Sequence, residues 1–337
     1  MSPSKYALPA GSLVLVSGAN GYIASHIVDI LLQLGFNVRG TIRTAKPWLD
    51  SFFQTKYGKP RYESVVVPAI EHDGSFDEAV KGVAGFIHVA SDMSMDPDPD
   101  VVIPRTVKGT INALEASLKQ SQVKRFVLTS SSTAAYVGQP NVEGVIIDEK
   151  SWNLTSLNIA MNKDTPIQMK GPHTYSASKT QQERTAWKWV EDNKPHFVFN
   201  AVLPNVNIGP ILTPEIPGSV MGLVKNILNG DVTAMNMIRP QYFIDVRDTA
   251  RLHVAALLDL DLQSTRIFAY AHALNWTDII SVMRKLKPDN DKIPQPPENE
   301  GRDLTEVMPR KRSEEILTAF FDRPGWTPLE ETLSEAL

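Results

Sequence analysis

The 337-residue sequence has no cysteine, which excludes disulfides, thiolate metal sites and a thiol nucleophile, and fits a reducing compartment. It has no surplus of basic charge. The 34 Lys and Arg stand against 38 Asp and Glu, a formal net charge of -4, and give no basis for a nucleic-acid or anionic-membrane partner. It also lacks any apolar run of membrane-spanning length, and Met1 to Gly11 lacks the apolar centre of a signal peptide, so a cytoplasmic protein is expected. Internal repeats and low-complexity tracts are absent, and no metal is expected. Hydrophobic residues at 42% and charged residues at 21% exclude a disordered or fibrous chain. The length supports one large domain or two unequal ones.

What is present is first a strand, glycine turn and helix between Ser12 and Leu34. Leu13 to Val16 is an apolar run too short for a helix, and Ile23, Ile27, Ile30, Leu31 and Leu34 recur at helical spacing. Between them, Gly18 permits a tight turn and Gly21 lets backbone approach a pyrophosphate at the positive end of the following helix. The spacing is GxxGxxA, with Ala24 in the third position. The same glycines would serve an ordinary strand-to-helix turn, so the context carries the functional reading. A second strand, Phe36 to Arg43, ends where the ribose of a dinucleotide would sit. It offers Arg39, Arg43 and Lys46, and no acid until Asp50, a pattern that favours a 2′-phosphate and therefore NADP(H). Solvated charges at a strand end are the alternative.

Strands at Ser64 to Val67, Gly85 to Ala90, Arg125 to Thr129 and Phe197 to Leu203 alternate with helical patterns, the signature of crossovers and a parallel sheet. The expected class is α/β, a Rossmann-type doubly wound sheet with a smaller, mostly helical C-terminal lobe. The dinucleotide-binding part spans 1–203 with returning segments at about 240–270, and the substrate lobe spans 204–239 and 271–337. Ser91 to Asp100 reads as a loop, Val102 to Leu118 as a helix, and Gln139 to Gly171 as a long, weakly patterned connection. His88, inside an apolar strand, reads as a packed core histidine. Two further features stand out. A hydroxyl cluster, Thr129 to Thr133, ends a buried strand, and Tyr175 with Lys179 lies on one face of a helix running to about Glu191. A lysine ammonium near a phenol favours phenolate, so this pair can form a proton-transfer unit with a lowered tyrosine pKa.

Ser17 to Gly21, the basic tip Arg39 to Arg43, Thr129 to Ser131, Tyr175 to Lys179, Leu203 to Pro210 and Asp245 to Asp248 together resemble the extended short-chain dehydrogenase/reductases. Within them the chain is similar to fungal NADPH-dependent aldehyde/carbonyl reductases, near plant dihydroflavonol reductases. The resemblance covers nearly the whole chain, down to Gly325 to Glu331 before the family's usual last helix. It implies Tyr175 as the acid that protonates the carbonyl oxygen, Lys179 as the holder of the ribose hydroxyls and Ser131 as a donor to the substrate oxygen. It also implies Asn112 as a proton-relay asparagine. The implied cofactor set is Gly18, Asn20, Gly21, Tyr22, Ile23, Arg39, Arg43, Lys46, Ala90, Lys179, Pro204 and Val206. The adenine side departs from the family pattern, with Pro68, Ala69 and Ile70 where many relatives carry an acidic-apolar pair.

Substrate choice is expected in Asp92 to Met95, Tyr136 to Val137, Pro210 to Met221 and Met237 to Phe243, stretches rich in methionine, proline and aromatics with Arg239 as their one arginine. They fit an apolar or aromatic ketone or aldehyde, or a β-keto ester, and a protein acting on small molecules as monomer or homodimer. Two other readings share the fold: a steroid or sugar-nucleotide dehydrogenase/epimerase, and a non-catalytic NADP-binding redox sensor.

Overall fold

The alternation in the sequence becomes a seven-stranded parallel sheet in the computed structural model, which describes residues 6–337. The first half runs β1 (Leu13–Val16), α1 (Tyr22–Gln33), β2 (Asn37–Ile42), α2 (Pro47–Tyr57), β3 (Tyr62–Val66), β4 (Gly85–His88), α3 (Pro99–Leu118) and β5 (Arg125–Thr129). The second half begins with β6 (Ile146–Ile147), α4 (Leu154–Met161), α5 (Ile167–Asn193), β7 (Val198–Pro204), β8 (Val206–Ile208), α6 (Val220–Asn226) and α7 (Thr233–Met237). It continues through β9 (Gln241–Asp245), α8 (Val246–Leu258), β10 (Arg266–Ala269), β11 (His272–Leu274), α9 (Trp276–Leu286), β12 (Glu306–Val307), α10 (Arg310–Phe321) and α11 (Leu329–Ala336).

The strand order is β10-β7-β5-β4-β1-β2-β3, every pair parallel. It reverses between β1 and β4, and the crevice beyond the carboxyl ends of those strands is where an open α/β sheet binds its ligand. Both faces of the central strands are covered, so β1, β4, β5 and β7 are buried almost end to end, whereas β2 and the edge strand β3 carry Arg39, Glu63 and Ser64. On one face α1 and α8 bury Ile27, Leu31, Val254 and Leu257; on the other α3 and α5 bury Ala113, Leu114 and Ala186. A third core, with Ile208, Met221, Phe243, Trp276, Ile280 and Leu333, belongs to the lobe, where β8, β9 and β11 form a small sheet.

Local chemistry sets the ends. α3 starts on Pro99 with Asp98 as its N-cap, its carboxylate accepting from the Asp100 amide, so the acidic loop ends two residues before the expected boundary. α9 opens with a capping box of Asn275 and Asp278. The long connection holds α4 and the first turns of α5, which runs for 27 residues and starts well before Tyr175. Pro166 and Pro172 disguise that start: Pro166 precedes the helix, while Pro172 lies inside it and costs one hydrogen bond near its first turns. Of the returning segments, α8 and β10 pack on the main sheet, whereas β9 pairs with β8 in the lobe. α10 places Ile316 and Leu317 in the main core rather than the lobe. No described helix is long and apolar enough to cross a membrane.

Candidate active site

The crevice has a backbone side and a side-chain side. On the backbone side, β1 leads into Gly18, whose φ of +67° is left-handed and whose added Cβ would stand 3.3 Å from the Ala90 Cα. The Gly18 amide donates to Thr41 Oγ1 at 3.2 Å and the Ala19 amide to the Thr41 carbonyl at 2.9 Å, which docks the turn on the end of β2. α1 follows with Gly21 as an N-cap that has no side-chain hydrogen bond. The amides of Tyr22 and Ile23 have no backbone partner among the described residues. A glycine cradle with free donors at the positive end of a helix fits the diphosphate of a dinucleotide. Gly18, Asn20, Gly21, Ile23 and Ala90 are thus brought together.

Beneath this cradle the Ser17 hydroxyl accepts from the Val89 and Ala90 amides and donates to His88 Nδ1 at 2.9 Å, tying β1 to the end of β4. His88 is 1% exposed, and burial pushes its imidazole down to about 3, as befits a neutral core histidine.

Two expected cofactor side chains are placed otherwise. The Tyr22 hydroxyl donates to the Gly209 carbonyl at 2.8 Å and its ring joins the lobe core, so only its backbone amide belongs to the cradle. Arg39 pairs with Glu63 at 2.6 Å and donates to the carbonyls of Ala79 and Lys81, which precede β4 and lie toward the opposite end of the sheet. It sits in the third position of β2, too early to reach the strand's carboxyl end. Arg43, just past that end, is exposed and has no ion pair or hydrogen bond among the described residues, and Lys46 begins the turn into α2.

On the side-chain side, Tyr175, Lys179 and Glu183 recur every four residues on α5 and meet the end of β5. Lys179 donates to the Thr129 carbonyl at 2.9 Å and reaches Ser91 Oγ at 3.5 Å. Ser130 donates to Glu183 at 2.7 Å. Ser131 caps the turn that follows, accepts from the Thr133 amide, and its hydroxyl faces the Tyr175 phenol. Burial pushes that phenol up, and Ser131 opposes the rise. The expected lowering of Tyr175 by Lys179 is therefore not found: the ammonium is directed at Thr129, and burial pushes it down to about 7 against the pull of Glu183. Pro204 ends β7 and Val206 opens β8, both at the carboxyl edge beside β5. Asn112 is corrected too. Its amide nitrogen donates to the carbonyls of Ile70 and His72, so it braces the loop after β3 and has no hydrogen bond to Tyr175 or Lys179 among the described residues.

The sequence reading passed over Glu183, Arg266 and His253. Glu183 is marked by its helical spacing from Tyr175 and Lys179, and Arg266 by being a lone charge in an apolar strand. His253 accepts from the Thr129 hydroxyl at Nε2, because its Nδ1 donates to the Thr249 carbonyl. Apart from these groups, the lobe contains a cavity of about 300 Å³ lined by Met235, Ile238, Arg239, Pro240, Trp276 and Glu300 among others. Arg239 donates to Gln139 at 3.2 Å on its rim. None of Ser131, Tyr175 and Lys179 lines that cavity.

Residues 14–269 match the NAD dependent epimerase/dehydratase family. A ketoreductase of Penicillium roqueforti is 44% identical over 335 residues, covering 98% of this chain and 97% of its own. Aldehyde reductase 2 of Sporidiobolus salmonicolor is 41% identical over 332 residues, with 97% and 96% covered. Among solved structures, the yeast methylglyoxal/isovaleraldehyde reductase Gre2 complexed with NADPH superposes with a TM-score of 0.79 at 25% identity, with 96% of each chain covered.

Proposed function

The chain belongs to the NAD dependent epimerase/dehydratase family, and on that premise we propose that it is an NADPH-dependent reductase of apolar or aromatic ketones, aldehydes or β-keto esters, with Tyr175 as the acid. That it is an oxidoreductase acting on carbonyls follows from its ketoreductase and aldehyde reductase relatives. The observation that carries the finer reading is the facing of Tyr175 and Ser131 at the end of β5, with Lys179 one turn further along the same helix face.

When bound, the nicotinamide supplies the hydride. The chain's residues supply position and charge. The cradle from Gly18 to Ile23 holds the diphosphate, Arg43 and Lys46 attract a 2′-phosphate, and Pro204 and Val206 flank the nicotinamide. Ala90 closes against Gly18. As negative charge grows on the carbonyl oxygen, hydroxyl donors there stabilise the transition state more than the ground state. Tyr175 gives its proton to that oxygen, and a phenol kept protonated by burial is the form that can do so. Ser131 donates a second hydrogen bond. In this reading Lys179, one turn along the same helix face and with its pKa brought down to about 7 by burial, stabilises the phenolate left behind. In this reading the main sheet carries the cofactor and the lobe around β8, β9 and α9 selects the substrate. A second, smaller pocket in the lobe, lined by Val206, Val224, Ile238, Phe243 and Trp276 among others, is mostly apolar, and Met93, Met95 and Met237 are exposed in the stretches expected to face substrate.

The test is absorbance at the nicotinamide band with NADPH or NADH and a panel of aryl ketones, β-keto esters and aldehydes. Turnover with NADPH on one of these supports the reading. Tight NADPH binding without turnover across the panel overturns the substrate class.

A further inference from the structure

We infer that Glu183 is a positioning residue for the proton-transfer group, holding the strand end in place through Ser130 and setting the charge of Lys179 through the helix. The inference rests on the assignment of Tyr175, Lys179 and Ser131 made above.

Three residues spaced four apart on one helix meet three consecutive residues of one strand end. Tyr175 faces Ser131, Lys179 binds the Thr129 carbonyl, and Glu183 binds the Ser130 hydroxyl. The stripe can fix the Ser131 hydroxyl only if the chain on either side of it is fixed. Thr129 is held by Lys179 and His253, and Ser130 by Glu183 and the Val202 carbonyl. Glu183 is itself fully buried and clamped by Arg266 of β10, Nε to Oε1 at 2.7 Å and Nη2 to Oε2 at 3.2 Å. Trp187 Nε1 donates to the same carboxylate. Arg266 in turn stacks 3.9 Å from the Trp152 ring and donates to the carbonyls of Glu149 and Ser151. The adjoining Asn153 donates to Thr133, on the far side of Ser131. One ion pair therefore braces the catalytic turn from both sides.

The carboxylate also acts at a distance. Lys179 is faced by His88 from β4, His253 from α8, and Tyr175 and Glu183 from its own helix, with Arg266 behind Glu183. Both histidines are held neutral by burial, so Glu183 is the negative charge that sustains the ammonium. Reduction needs that ammonium, so its rate falls as pH rises through the Lys179 pKa.

The experiment is the pH profile of kcat for carbonyl reduction in Glu183→Gln, Glu183→Asp and the double variant Glu183→Gln with Arg266→Leu, with Tyr175→Phe in parallel. In Glu183→Gln, kcat falls roughly 10- to 100-fold and the alkaline limb moves down by about one pH unit. Glu183→Asp keeps the charge and restores the limb while kcat stays reduced. Glu183→Gln strands the buried Arg266 cation; if it does not fold, the double variant, which removes both charges and leaves the nearer carboxylate's loss only partly offset, carries a smaller displacement in the same downward direction. A limb that stays at the wild-type pH in every folded variant lacking the carboxylate overturns the inference. Activity that survives Tyr175→Phe overturns instead the site assignment beneath it.

Discussion

The two sides of the crevice are built on opposite plans. The side around β1 is made of backbone, a glycine turn and free helix amides, and its cost is conformational: Gly18 is left-handed, and an added Cβ would press on Ala90 at 3.3 Å. The side around β5 is made of side chains, and its cost is desolvation: Lys179, Glu183 and Arg266 are ionisable groups taken out of water. Each side rests on a buried neutral histidine. His88 supports Ser17 at the end of β1, and His253 supports Thr129 at the end of β5. The difference teaches that binding a constant ligand part needs only fixed dipoles, whereas moving a proton needs groups whose charge is tuned by neighbours.

The contrast is sharpest at Tyr175. Tyr175→Phe is expected to lower kcat by roughly 10²- to 10⁴-fold while NADPH binding, followed by fluorescence titration, stays unchanged; loss of both together would erase the division between the sides. Gly18→Ala should do the reverse. The left-handed backbone costs an L side chain about 1–2 kcal/mol, read by chemical denaturation, and NADPH affinity should fall by roughly tenfold or more.

Acid should weaken both sides through their histidines. Burial holds His88 down to about 3 and His253 to about 4, against an ordinary value of 6.5, so each takes up a proton on unfolding. Their contribution is complete above 6.5 and is lost progressively as pH falls from there toward the folded values. His88→Asn keeps an acceptor for Ser17 and should flatten the acid decline in unfolding free energy by about 1 kcal/mol per pH unit; an unchanged slope would show that His88 does not titrate on unfolding. The smallest effect separates two arginines on one strand. Arg43→Ala should cut the preference for NADPH over NADH by about tenfold, whereas Arg39→Ala should leave that preference intact and cost about 1 kcal/mol of stability. The reverse result would return Arg39 to the cofactor.

How much of this was legible in the sequence follows the same division. The glycine turn, the parallel sheet and the Tyr175-Lys179 spacing depend on neighbours within one or two turns of chain, where residue type and local geometry are tightly coupled. The start of α5 was hidden because Pro166 and Pro172 resemble breaks, although a long helix with its own packing tolerates one internal proline. Arg39 and Arg43 look equivalent in sequence. Only the register of β2, with Ala79 and Lys81 brought under it, commits the first and leaves the second exposed.

Sequence by itself determined the parallel sheet, the glycine turn before α1 and the helical spacing of Tyr175 and Lys179, because each is written in short-range pattern. Tertiary structure alone decided where Lys179 points, that Tyr175 is raised rather than lowered, and that Glu183 meets Arg266 across 83 residues of chain. The reason is physical: burial and charge pairing depend on which distant segments exclude water together, and no local spacing encodes that.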